Sequence, residues 1–136
     1  MKLFLFGGVK LSSALGDLGL LILRAFTGLS LAYAHGWSKL PPDEQFVKTV
    51  TSLGFPAEMT YLSMLAELFG GLSLAVGLLT RLAALALVGN FVIAGFMSHA
   101  DDPYIRKELP FLFLAVAAMF LCVGAGRFSV DRLLKK

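Results

Sequence analysis

The sequence predicts an all-α, polytopic membrane protein: a four-helix bundle with a short interfacial helix between its first and second spans. Three observations carry this prediction. Hydrophobic residues make up 57% of the 136-residue chain and charged residues only 15%, and the mean hydropathy of +0.80 lies above that of ordinary soluble domains. The apolar residues gather into four runs that approach the roughly 20 residues a helix needs to cross a bilayer. The links between runs hold the prolines, glycines and charges that end helices.

Taken in order, the first run extends from Leu18 to Leu40 and stops at Pro41 and Pro42, which cannot donate amide hydrogen bonds. The next, Ala57 to Leu79, is preceded by Pro56. The third covers Leu82 to Ser98 and the fourth Leu109 to Val123, with Glu108 and Pro110 suited to a helix start. Between the first two lies "DEQFVKTVTSLGFP", where Phe46, Val47, Val50 and Leu53 recur at helical spacing, as in a helix lying on a membrane surface, with Gly54 as its stop. Gly124 and Gly126 end the fourth helix, and Ser129 is a cap for a short basic tail. One domain, residues 1–136, accounts for the whole chain. Its N-terminus, "MKLFLFGGVKLSSALG", is expected to be a retained segment, because Gly7, Gly8 and Lys10 interrupt the apolar block before any clear cleavage site.

The net charge of +3 is too small and too dispersed for nucleic-acid binding. It does orient the chain. Lys2, Lys10, Arg81, Arg127, Arg132, Lys135 and Lys136 fall on one side, against Lys39, Lys48, Arg106 and Lys107 on the other, so both termini are expected in the cytoplasm. The single cysteine, Cys122, excludes an intramolecular disulfide and a CxxC pair; as a small apolar residue it is expected to be buried in helix packing.

Charges inside spans cost about 2.5 to 3.5 kcal/mol on insertion scales, so each should face protein or water. At 100° per residue, Arg24, Gly28 and His35 share a stripe of the first helix, and Thr60, Ser63, Glu67 and Gly71 share one of the second. An Arg24–Glu67 ion pair is the expectation, either a structural lock or a proton- or ligand-binding pair. A second, outer polar cluster comprises His35, Lys39, His99 and Glu108. Two histidines on separate helices make no recognised metal spacing, so no metal site is expected. Asn90 lies nine residues before His99, on the opposite side of a regular helix, which assigns it to helix packing and an interhelical hydrogen bond. "GLSLA" occurs at Gly28 to Ala32 and again at Gly71 to Ala75. With Gly70 and Gly77 these glycines form small-residue surfaces for close helix contact.

Together, "RAFTGLSLAYAHGWSKL", "ELFGGLSLAVGLLTR", "FMSHADDP" and "GAGRFSVD" resemble the DoxX family of small bacterial membrane proteins, over most of the chain from Arg24 to Asp131. By that resemblance the motif positions are Arg24, His35, Gly36, Lys39, Glu67, Gly77, Arg81, His99, Glu108, Gly124, Gly126, Ser129 and Asp131. The resemblance implies a four-helix protein of the bacterial inner membrane, serving as subunit or anchor of a redox, oxidative-stress or sulfur-metabolism complex, with a quinone as candidate ligand and a membrane or soluble redox protein as partner. It transfers no catalytic assignment. Flavin, haem and iron–sulfur signatures are lacking, so oxidoreductase activity would be that of a non-autonomous subunit. The alternatives are a small transporter or proton-coupled permease built as a homo-oligomer, in which Glu67 changes protonation, and a structural interaction protein.

Overall fold

The computed structural model describes residue 8 and residues 13–135, which are helical with no strand among them. Lys2, Lys10, Lys136 and nearly all of the expected retained N-terminal segment lie outside the described residues.

Helix α1, Ala14–Ser30, begins at Ser13, whose side chain accepts a hydrogen bond from the Gly16 amide. It continues without a break as a π-helix over Leu31–Gly36 and a 3₁₀ turn over Trp37–Lys39. The short helix α2, Glu44–Ser52, is capped by Asp43, which accepts from the Phe46 amide at 2.7 Å, and Gly54 follows it at φ +85°. Its Val50 is buried, while Glu44, Gln45 and Lys48 are exposed. Helix α3 spans Met59–Val76, and α4 spans Thr80–Ile93 with a π-helical continuation over Ala94–Ser98. Helix α5 covers Tyr104–Val123 and ends at Gly124, φ +80°; α6, Val130–Leu134, is capped by Ser129.

Among the described residues, three helices are long and apolar enough to cross a membrane: Ala14–Lys39, Met59–Val76 and Thr80–Ser98. Helix α5 is as long, but Arg106, Lys107 and Glu108 lie in its first two turns. It starts five residues before the expected Leu109, since Pro103 leaves the chain extended and Tyr104 opens the helix directly. Glu108 is therefore an exposed residue of the second turn rather than a cap, and Pro110 lies inside the helix.

Helix α1 packs on α3, α3 on α4, and α4 on α5. The core between them is formed by Leu31, Leu74, Ala84, Leu87, Phe91, Phe113, Ala117 and Phe120. The α1–α3 crossing sits where the two GLSLA segments meet. A Cβ on Gly71 would come within 2.7 Å of the Gly28 carbonyl and 2.8 Å of the Ala32 amide, and one on Gly28 would strike the backbone of Gly71 and Ala75. Two turns along, Gly36 abuts Leu68, where a Cβ would lie 2.6 Å from the Leu68 Cα. Gly70 meets Leu87 of α4. Cys122, expected inside, is exposed on α5.

Candidate functional site

The α1–α3 register decides which charges can meet. The helices run antiparallel with Gly28 against Gly71 and Ala75, which sets Arg24 beside Gly77, ten residues and roughly 15 Å along the axis from Glu67. The expected Arg24–Glu67 pair is therefore not formed. Arg24, 1% exposed, donates from Nη1 to the Ala125 carbonyl at 3.0 Å and from Nη2 to the Phe128 carbonyl at 2.6 Å. Asp131 supplies the nearby countercharge. Its carboxylate accepts from the amides of Leu79 (2.6 Å) and Thr80 (2.9 Å), while its own amide donates to the Gly77 carbonyl at 2.8 Å. Leu79 holds φ +49° in this turn, a left-handed conformation costing about 1–2 kcal/mol for a residue with a Cβ, and the Asp131 carboxylate bonds its amide. This end of the molecule is a clasp in which the segment after α5 ties α1 to the α3–α4 turn.

At the opposite end, Glu67 meets Lys39. Lys39 Nζ lies 2.6 Å from Glu67 Oε2; the Glu67 side chain is only 4% exposed, that of Lys39 30%. Asn90 Nδ2 donates to Glu67 Oε1 at 3.1 Å, and Ser63 Oγ donates to Asn90 Oδ1 at 2.6 Å. Both carboxylate oxygens are thus engaged, as a buried charge requires. The ammonium of Lys39 also lies 5.1 Å from the Phe46 ring centre, within cation–π range, which ties α2 to the same node.

This network lines a cavity of about 680 Å³ between α2, α3 and α4. Phe46, Val50, Phe55, Met59 and Ile93 supply apolar wall; Lys39, Glu67, Asn90, Ser63, His99 and Asp102 supply polar groups. A few polar groups set in an apolar wall is the usual make-up of a small-molecule site. His99 Nδ1 lies 2.7 Å from Asp102 Oδ2. With the carboxylate as acceptor, Nδ1 is the donor, and the second ring nitrogen remains for another partner. The hydrogen bond from His99 holds the Asp102 carboxyl below the usual carboxylate range; desolvation opposes the shift, and the Arg106 cation adds to it.

Asn90 and His99 both line this cavity, although a regular helix would place them on opposite sides. The π-helix between them is the reason. His99 donates its amide to Ala94, five residues back, and the extra residue in that turn rotates everything after it by about 100°. The π-helix in α1, where the Trp37 amide reaches Ala32, likewise resets the approach to Lys39. The outer cluster is consequently divided. Lys39 and His99 face the cavity, His35 packs edge-on against Phe113 with ring centres 5.3 Å apart, and Glu108 is exposed on α5 away from the cavity lining. Ser63 falls on the Glu67 stripe that the sequence shows, whereas Asp102 and the α2 residues are not marked as cavity groups by it; the signal pointing to Asp102 is its three-residue spacing from His99. Among the described residues no group of three His, Cys, Asp or Glu side chains could hold a metal ion.

The sequence model of the DoxX family matches residues 19–100. The chain belongs to the DoxX family. That match takes in Arg24, Lys39, Ser63, Glu67, Asn90 and His99, all but Asp102 of the polar cavity groups named above as well as the buried arginine. This DoxX chain is 32% identical to Inner membrane protein YqjF of Escherichia coli (strain K12), over 90% of its own length and 96% of the relative's. It is 34% identical to a Bacillus subtilis (strain 168) protein named "Putative oxidoreductase CatD", over 82% of its length and 83% of that chain. No solved structure matches it. Family and apolar helices together make this DoxX protein a multi-pass membrane protein.

Proposed function

We propose that this DoxX protein is an inner-membrane subunit of a redox complex and binds a quinone head group in the cavity beneath α2. The observation that carries the reading is the cavity itself: an apolar chamber whose wall holds the buried Glu67 carboxylate, bonded by part-buried Lys39 and Asn90, with Ser63 bonded to Asn90 and His99–Asp102 beside them. Quinone carbonyls accept hydrogen bonds and carry no charge. Lys39 and Asn90 are donors already held in position, and the free nitrogen of His99 can bond a second carbonyl. The quinone, when bound, supplies the redox centre; the protein's residues orient its oxygens and keep bulk water out. The name of the Bacillus relative, which includes oxidoreductase, supports the same class, and that of the Escherichia relative supports the inner membrane.

In this reading α5 is the fourth span, α2 lies at the membrane interface, and both termini are cytoplasmic, which places the cavity in the outer half of the bilayer. Purification in mild detergent followed by mass spectrometry of extracted lipids and copurifying proteins tests the function. A quinone retained by the wild type and depleted in Glu67→Gln, with a recurrent oxidoreductase partner, is the expected result; recovery of neither removes the reading. Topology is checked by labelling single cysteines at Gln45, Tyr104 and Leu134 from outside the cell, after replacing the exposed Cys122. Positions 45 and 104 should label and 134 should not.

A further inference from the structure

The cavity is lined on one side by residues that are themselves exposed on the outer surface of the helices. Ala86 and Gly89 of α4 line it and are exposed, and Leu62 of α3 lines it while 57% exposed. Ala66 of α3 lines the cavity too. On either side of Ala86 and Gly89 the exposed face of α4 carries large residues, Leu82, Leu85 and Val92. The two small residues thus form a notch in an otherwise bulky apolar face. A Cβ added at Gly89 meets nothing within 4 Å, so this is open space and not a helix contact like Gly28 or Gly71.

Depth gives the notch a meaning. Gly89 is nine residues from each end of the span Thr80–Ser98, about 13 Å in either direction, which sets it at the centre of a hydrocarbon core roughly 30 Å thick. Bilayer centre is the least favourable place for a water-soluble molecule to enter and the most favourable for a hydrocarbon chain. The polar groups of Glu67 and Asn90 stand beside the notch, Asn90 being the residue next to Gly89 in the chain. A head group bonded there has its apolar exit immediately at hand.

We infer that the cavity takes a long-chain amphiphile, a prenylated quinone, whose tail leaves through a side window between α3 and α4 framed by Leu62, Ala66, Ala86 and Gly89. This rests on the quinone reading above and adds the selection of the tail. Head-group affinity comes from the Lys39–Glu67–Asn90 network, and discrimination between tailed and tailless quinones comes from the small side chains at 86 and 89. The ligand enters sideways from the bilayer, so α2 need not open.

The test uses the full-length protein in phosphatidylcholine nanodiscs, with binding followed by quenching of the single tryptophan, Trp37, two residues before Lys39. The probes are an octaprenyl benzoquinone and the same head group without a tail. Comparing variant with wild type for one probe at a time cancels partitioning into lipid. Gly89→Leu fills the window from a site with room for it, and Ala86→Leu provides a second, independent block; unchanged thermal unfolding shows that each is folded. Both variants should weaken the octaprenyl probe about tenfold and leave the tailless probe within about twofold of wild type. Equal weakening of both probes, or no effect on either, overturns the window while leaving the quinone site standing. A wild-type protein that binds neither probe overturns the quinone reading, and the window with it.

Discussion

The buried pair of Lys39 and Glu67 is asymmetric, and this has a measurable consequence. The Glu67 side chain is almost wholly buried, whereas the longer Lys39 side chain is part-exposed and can extend its ammonium toward the interface. Lys39→Met strands a carboxylate with only Asn90 for support, and should cost about 3 kcal/mol, near the lower end for a broken buried pair. Glu67→Gln retains a carbonyl acceptor and leaves a cation that can swing outward, and should cost about 1 kcal/mol. Denaturant titration of the purified protein in detergent measures both, and equal losses would contradict the asymmetry. Asp102 offers a second test at this scale. Its folded-state pKa lies below the unfolded value because His99 donates to it, with Arg106 adding and desolvation opposing. Its stabilising contribution is therefore complete above the unfolded aspartate value of about 3.9 and disappears as the pH falls through the lower folded value. In an Asp101→Asn background, NMR titration of the Ala100 and Asp102 amides should show a midpoint below the unfolded aspartate value, abolished by Asp102→Asn.

Among the elements, the GLSLA crossing and the two π-helices together shape the cavity, and they were unequally legible. The helices could be read because apolar runs and breaker residues are local signals: Pro41, Gly54 and Gly124 stand where elements end. The repeated GLSLA was visible too, but its value as a register emerges only when the two copies are set against each other. Opposing them in antiparallel helices brings the Lys39 end of α1 to Glu67 and sends Arg24 to Gly77, which is the observed arrangement. The π-helices had no such signal. A wheel drawn at 100° per residue cannot show an extra residue in one turn, so it turns Asn90 away from His99. The crossing itself predicts a contrast between two glycines. Gly71→Ala pushes a methyl group against the Gly28 carbonyl and Ala32 amide, backbone atoms that cannot rotate aside, and should cost about 1–3 kcal/mol. Gly19→Ala, inside the same helix as Gly28 but where nothing lies within 4 Å, gains alanine's helix propensity and should raise stability by about 0.5–1 kcal/mol. Thermal unfolding of the two variants side by side measures the difference.

At the level of the whole molecule, the chain keeps its two polar centres apart: a cavity network at one end and the Arg24–Asp131 clasp at the other, with the GLSLA crossing between them. Composition showed that Arg24 needed a partner but not that main-chain carbonyls far along the sequence would provide it. Those contacts depend on Gly124 and Gly126, at φ +80° and +78°, turning the chain back after α5. The clasp also holds the end of the chain. Arg24 anchors the carbonyls of Ala125 and Phe128, and Asp131 bonds Leu79 and Thr80 across to the α3–α4 turn, so residues 124–134 should detach together when either side chain is removed. Arg24→Lys keeps the charge but offers a single ammonium in place of a fork that reaches two carbonyls, and should behave more like Arg24→Ala than like wild type. Asp131→Asn keeps one carbonyl acceptor for the two amides and should be intermediate, with Asp131→Ala losing about 1–2 kcal/mol, the range for a lost N-terminal cap. Brief trypsin digestion followed by mass spectrometry reads the outcome directly, because Arg127 and Arg132 lie within the clasped segment. Cleavage at both should be slow in the wild type and fast in Arg24→Ala and Asp131→Ala, while the helices from Ala14 to Val123 stay intact. Cleavage rates at Arg127 and Arg132 unchanged from wild type in both alanine variants would show that the segment is held by something other than this pair.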